Sequence, residues 1–241
     1  MDYFAEERMK AAEEVICRLP DTIYSAANFA GSLSREQVKE YRQAVKHLTL
    51  TKDSKLHRAF RNIVKLGMHT LKKAAASIEK KGFKLCPGEP GCNQCCRRLV
   101  LVPSKAEQAA IVNEIRIMPV QTKQQLALNL SIREPKWRAA LMTFGLMGEE
   151  HAGDFWENVG ACFAEIGGMC PAVGPTGSCM IYAARPWSCR TYRTIGGVCV
   201  PARRFNIAKF SDIEAAIQDL LTKSGEINMS IFPVIRQALE L

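Results

Sequence analysis

Cys86-Pro-Gly-Glu-Pro-Gly-Cys92-Asn-Gln-Cys95-Cys96 is the stretch on which the reading of this chain turns. It follows a long run of helical periodicity, carries four thiols in eleven residues, and contains nothing from which a helix could be built. A second window of the same character spans residues 167–201. There, six glycines and four prolines interrupt the chain around Cys170, Cys179, Cys189 and Cys199. Eight of the ten cysteines therefore fall in two glycine- and proline-rich loops, and thiols gathered in this way in a reducing compartment most often hold metal.

Between and around the loops the sequence reads as helix. An N-terminal helix is expected over 3–18, carrying Phe4, Met9, Val15 and Ile16 before Pro20-Asp21. Ser34 is placed to cap a helix running to about Leu48, with Val38, Tyr41, Val45 and Leu48 on one face. A further helix is expected over 53–80, with Leu56, Phe60, Ile63, Val64, Met68, Leu71 and Ala75 at helical spacing and Gly82 as its stop. After an extended segment at Leu99–Val102, Ser104 and Glu107 form a capping-box pattern that opens a helix to about Met118. Three more helices are expected over 120–132, 135–147 and 149–165, with Pro119, Pro135 and Gly148 as punctuation. Ser211 with Glu214 opens another to about Lys223, and a last one covers about 231–240.

The expected fold is mostly α: an irregular helical domain with two long cysteine-rich loops closing on a metal site and at most a very short β element. Three segments are expected. Residues 1–81 form a helical region, 82–205 the cysteine-cluster domain, and 206–241 the C-terminal helices packed on it. Loops of about twenty and thirty-five residues are too long for a compact domain unless something orders them. Ordering costs about 1–2 kcal/mol of backbone entropy per residue. A structural zinc contributes an apparent ~10–16 kcal/mol towards that cost, and a thiolate-bound cluster would act likewise.

Composition sets outer limits. With 241 residues, 47% hydrophobic and 24% charged, the chain can bury a core without disulfide staples. The acidic start Met1-Asp2-Tyr3-Phe4-Ala5-Glu6-Glu7 lacks the basic and apolar regions of a signal peptide, and no apolar run nears the ~20 residues of a membrane span. The expected location is the cytoplasm, with no membrane partner. The net charge of +9 draws heavily on residues 35–81, where a solvated helix surface competes with a face for nucleic acid or an acidic protein.

Within the first window, Cys92 and Cys95 make a C-x-x-C turn that also suits a redox pair. Adjacent Cys95 and Cys96 rarely aim at one mononuclear centre, which favours a polynuclear cluster or two sites. In the second window eight, nine and nine residues separate successive cysteines, unlike the paired knuckles of a zinc ribbon. Cys17 and Cys162 fall in expected helices and read as apolar filler. Of the histidines only His151, heading a helix between the windows, enters as a candidate ligand.

The string Cys92-Asn-Gln-Cys95-Cys96-Arg97 resembles the first half of the YkgJ-type cysteine-cluster family. Cys170-Pro171, Cys179-Met180-Ile181-Tyr182, Arg185-Pro186 and Cys189-Arg190 with Tyr192 resemble its second half. The likeness covers about residues 84–195. It implies a zinc- or iron-chelating domain, and a related cysteine arrangement occurs in flagellin lysine-N-methylase, which is associated with an iron–sulfur cluster. The family pattern commonly places a further cysteine three residues before the C-x-x-C-C unit. Here Glu89 stands at that position and Cys86 lies three residues further back, while Cys199 lies past the recurrent motif.

The ligand set implied is therefore Cys92, Cys95, Cys96, Cys170, Cys179 and Cys189, with Cys86 and Cys199 as additional candidates. A [4Fe–4S] cluster is the leading cofactor and zinc the alternative. Arg185 and Arg190 are candidates for hydrogen bonds to cluster sulfurs or nearby carbonyls, with pairing to a carboxylate as the competing role. Tyr182 and Trp187 are expected to pack around the site. The functional expectation is a cytosolic metal-binding protein with a structural, redox or metal-handling role. Its alternatives are a cluster-dependent enzyme resembling a protein lysine methyltransferase and a basic adaptor for nucleic acid or an acidic partner. No H-E-x-x-H, P-loop, G-x-S-x-G or Rossmann glycine pattern is present, so no catalytic residue is assigned.

Overall fold

A computed structural model describes residues 34–49, 53–76, 83–85, 95–97, 101–145, 155–190, 193–195, 198–200, 213, 216–218, 220–221 and 223–240. The expected helix over 3–18, with Cys17, lies outside them, as do Cys86, Cys92, His151 and Ser211. The chain divides into two compact units, each assembled from separate stretches. One comprises residues 1–87, 104–109 and 190–226; the other comprises 88–103, 110–189 and 227–241.

The first unit is led by an antiparallel hairpin of α1 (Arg35–Thr49) and α2 (Asp53–Ala76). Ser34 starts α1 with a reciprocal cap: its Oγ accepts from the Gln37 N–H at 3.3 Å, and its own N–H donates to Gln37 Oε1 at 2.9 Å. Two orphan donors are satisfied at once. Leu56, Phe60, Ile63, Val64 and Leu71 of α2 are buried as their spacing predicts, and Met68 is half-buried. Three short strands, β1 (Phe83–Leu85), β3 (Arg193–Ile195) and β4 (Val198–Val200), form an antiparallel sheet in the order β1-β3-β4. Phe83 stands opposite Ile195, and Thr194 opposite Cys199.

Strand β2 (Leu101–Ser104) falls where the apolar run predicts extended chain, and it pairs with β5 (Glu226–Ser230). The protein is mostly helical, yet these pairings exceed the very short β element expected. Strands of three to five residues are too brief for period-two alternation to declare itself, and apart from the neighbouring β3 and β4 their partners come from distant sequence. Helix α3 (Lys105–Arg116) begins at the expected box. The Ser104 Oγ accepts from the Glu107 N–H at 3.3 Å and donates to Glu107 Oε2 at 2.7 Å. Two further donors of its first turn are met by the Gly225 carbonyl, at 2.9 Å from Lys105 N, and the Ser224 hydroxyl, at 2.9 Å from Ala106 N.

The second unit is organised by α4 (Val120–Gly145), which continues through Pro135 where the sequence predicts a break. Proline removes the hydrogen bond to Ser131, but Pro135 is exposed, so water can take up the released carbonyl. One face stays continuous across it: Leu126, Leu130, Trp137 and Ala140 are all buried. Burial of that face outweighs the local penalty. Helices α5 (Phe155–Glu165) and α7 (Ile231–Leu239) pack against α4. Their shared core is a ring cluster. Trp137 meets Phe163 edge-on at 5.3 Å and stacks on Phe232 at 5.6 Å, while Phe163 and Phe232 meet edge-on at 6.0 Å.

Beside this cluster, the largely buried Glu134 is held by Arg138, at 2.9 Å, and by Arg236 of α7. Burial pushes its carboxyl upward, but hydrogen bonds and charge from the two guanidiniums outweigh it and leave the pKa below the usual range. A depressed carboxylate stabilises the fold above its unfolded pKa of about 4.3, and that stability is lost as pH falls through the folded value. Glu134→Gln is therefore expected to lower the melting temperature by about 2–4 °C at neutral pH, as for ~1 kcal/mol in a protein of this size. The gap should narrow as melts are taken to lower pH and the folded carboxyl is protonated. A gap independent of pH would show that the guanidinium contacts carry no net charge energy.

Candidate metal centre

The second cysteine window is delivered by the end of α5. Gly167, at φ +71°, donates its N–H to Ala164 O at 3.1 Å, and the Gly168 N–H reaches back to Phe163 O at 2.7 Å. This is a Schellman stop, which turns the chain sharply and satisfies two terminal carbonyls. Gly168 passes so close to Phe163 that a Cβ there would lie 2.3 Å from both its ring and its carbonyl. Two residues later the chain reaches Cys170.

Cys170 is buried, and its N–H donates to the carbonyl of Cys96 at 2.7 Å. Cys96 belongs to the 3-10 turn Cys95–Arg97, which packs on α5. One thiol-bearing residue from each window is thus held in main-chain contact. The chain then folds into a tight loop. The Val173 N–H bonds Cys170 O at 3.1 Å, Val173 bridges Cys179, the Met180 N–H bonds Ala172 O at 2.8 Å, and the Gly174 N–H bonds Ser178 O at 2.8 Å. Cys179 is therefore fixed to the same turn that carries Cys170.

Two side chains one helical turn apart on α4 clamp this turn. Asn129 Nδ2 donates to the carbonyls of Pro171, at 3.0 Å, and Val173, at 2.8 Å, while Gln125 Nε2 orients its Oδ1 at 3.0 Å. Arg133 donates to the carbonyls of Cys170, at 2.6 Å, and Val173, at 3.1 Å. Burial depresses the Arg133 pKa, and the thiols of Cys170 and Cys96 act against that shift as negative neighbours. The guanidinium therefore lies within electrostatic reach of a sulfur from each window. Neither Asn129 nor Arg133 belongs to any motif visible in the sequence; their i, i+4 spacing alone signals a shared face.

Cys189 lies in the four-residue helix α6 (Trp187–Arg190), and its N–H bonds Pro186 O at 3.1 Å. Trp187 is buried, but Tyr182 is 49% exposed and receives the guanidinium of buried Arg185 at 4.9 Å from its ring centre. Arg190 closes α6 and is half-buried. Cys96, Cys170, Cys179 and Cys189 all belong to the second unit, whereas Cys199, on β4, belongs to the first. Cys95 is placed only by its backbone. None of Cys96, Cys162, Cys170, Cys179 and Cys189 is in a disulfide. Among the described residues no three His, Cys, Asp or Glu side chains are gathered as a metal ion would require. No family model, curated protein or solved structure matches the chain.

Proposed function

We propose that the second unit is a cysteine-ligated metal-binding module, with a [4Fe–4S] cluster as its leading occupant and zinc as the alternative. The observation that carries this reading is the main-chain bond from Cys170 to Cys96, with Arg133 set electrostatically against both thiols. Reduced sulfurs from two windows beside a fixed cation are a donor set suited to a thiolate-bound centre, whose net negative charge such a cation offsets. The C-x-x-C-C string and the second-window string support the same reading through their resemblance to the YkgJ-type family.

In this reading Cys92, Cys95 and Cys96 would bind from the first window and Cys170, Cys179 and Cys189 from the second, all six within the second unit. When bound, the group supplies a covalent cross-link between the windows and, if it is iron–sulfur, a one-electron couple. Asn129 and Arg133 hold the Cys170–Val173 turn in register, and Arg185 and Trp187 are buried a few residues before half-buried Cys189.

Anaerobic purification with metal analysis and a visible spectrum tests the proposal. Iron with inorganic sulfide and broad thiolate-to-iron absorbance is the expected result. Colourless protein with one stoichiometric zinc would overturn the cluster and keep the module. Protein that neither retains nor takes up either metal would overturn the whole reading.

A further inference from the structure

The first unit carries a second feature that the metal-binding reading does not use. On α1, Arg35, Lys39, Arg42 and Lys46 are all exposed, and their 4-3-4 spacing places them on one ridge opposite buried Ala44 and Leu48. On α2 the pattern is stricter. Between Leu56 and Leu71 the only exposed residues are Arg58, Arg61, Lys65 and His69. Every position that this helix turns fully to water over four turns is thus a base. Acidic residues lie off the ridges: Glu36 is exposed on the flank of α1, and half-buried Glu40 stands 4.0 Å from Lys65.

We infer that this hairpin binds the phosphate backbone of duplex nucleic acid without reading its sequence. Each ridge runs over eleven residue steps, about 16 Å at 1.5 Å per residue. That length faces about five phosphates at 3.4 Å of axis per strand. An acidic protein surface fits less well, because between Leu56 and Leu71 the exposed residues of α2 include no apolar anchor for the core of a protein interface. An anionic membrane fits less well too, since Leu56, Phe60 and Ile63 are committed to the protein core and cannot enter lipid. Single strands would need stacking platforms, and the one aromatic residue of α1, Tyr41, is half-buried. Phosphate contacts of this kind position a protein on a duplex but carry no base readout.

The test is fluorescence anisotropy of the full chain with a labelled 20-bp mixed-sequence DNA duplex between 50 and 200 mM salt. Phosphate contacts from about five of the seven ridge lysines and arginines predict a log–log slope near −4.5, or roughly a five-hundredfold loss of affinity across that range. Arg58→Gln/Arg61→Gln/Lys65→Gln is expected to bind at least about tenfold more weakly at 50 mM salt, with a slope shallower by about 2–3. Arg35→Gln/Arg42→Gln provides an independent check on the other helix, and circular dichroism should show both variants folded, since all five positions are exposed. A flat salt response, or triple-variant binding equal to wild type, overturns the inference. Tighter binding to polyglutamate, to phosphatidylserine vesicles or to single-stranded DNA than to the duplex overturns it in favour of that partner.

Discussion

Gly168→Ala is expected to destabilise the protein by at least ~3 kcal/mol, the upper end of the usual cost of overpacking, and to lower its melting temperature by about 6–12 °C. The added methyl would sit 2.3 Å from the Phe163 ring and 2.3 Å from the Phe163 carbonyl, where neither can yield. The ring is wedged between Trp137 and Phe232, and the carbonyl is the last-turn acceptor of α5. Gly167→Ala makes a sharp comparison. Its Cβ would meet nothing nearer than Lys136 Nζ at 3.4 Å, so only the φ of +71° opposes it, at about 1–2 kcal/mol. In thermal melts Gly168→Ala should have at least about 1.5 to 3 times the effect of Gly167→Ala. Equal effects would mean that the Phe163 cluster relaxes freely, and the account of the core would fail.

Under the proposed metal-binding reading, Arg133→Met is expected to weaken metal binding by about 10- to 100-fold, the usual cost of losing a group that orients ligands from behind. Arg133 sends two hydrogen bonds into the turn, and its charge faces a thiol from each window. Methionine fills the volume but supplies neither. Arg133→Lys keeps the charge while losing the planar fork, so it should recover part of the affinity. Competition against a chromophoric chelator measures the effect, and a melt of the metal-free protein separates it from simple unfolding. Asn129 still donates to the Val173 carbonyl in that variant, so the metal-free melting temperature should move by only a few degrees. Unchanged metal affinity in Arg133→Met would remove this residue from the site.

What the sequence made legible, and what it hid, follows from the range of the interactions involved. Ser34 with Gln37 and Ser104 with Glu107 are local caps, readable because donor and acceptor lie three residues apart. The buried face of α2 was readable from periodicity alone. Pro135 misled because its cost is local, whereas the packing that overrides it, through Trp137 on Phe163 and Phe232, draws on helices far along the chain. Asn129 and Arg133 were hidden for a related reason. They donate to main-chain carbonyls about forty residues away, and a carbonyl leaves no mark in a sequence. The clustered thiols drew attention to both windows, but the contact between Cys96 and Cys170 depends on how α5 turns at Gly167 and Gly168.

The interleaved build of the second unit has a consequence for biosynthesis. Its three stretches, 88–103, 110–189 and 227–241, leave the ribosome at different times, and the last supplies Phe232, the third ring of the aromatic cluster. Both cysteine windows are therefore translated before the element that completes the aromatic core of this unit. A nascent chain stalled near residue 200 would display its sulfurs on an unfinished scaffold, open to oxidants and to competing ions. Under the proposed metal-binding reading, loading would follow synthesis of the 227–241 stretch, once helix α7 has closed over Trp137.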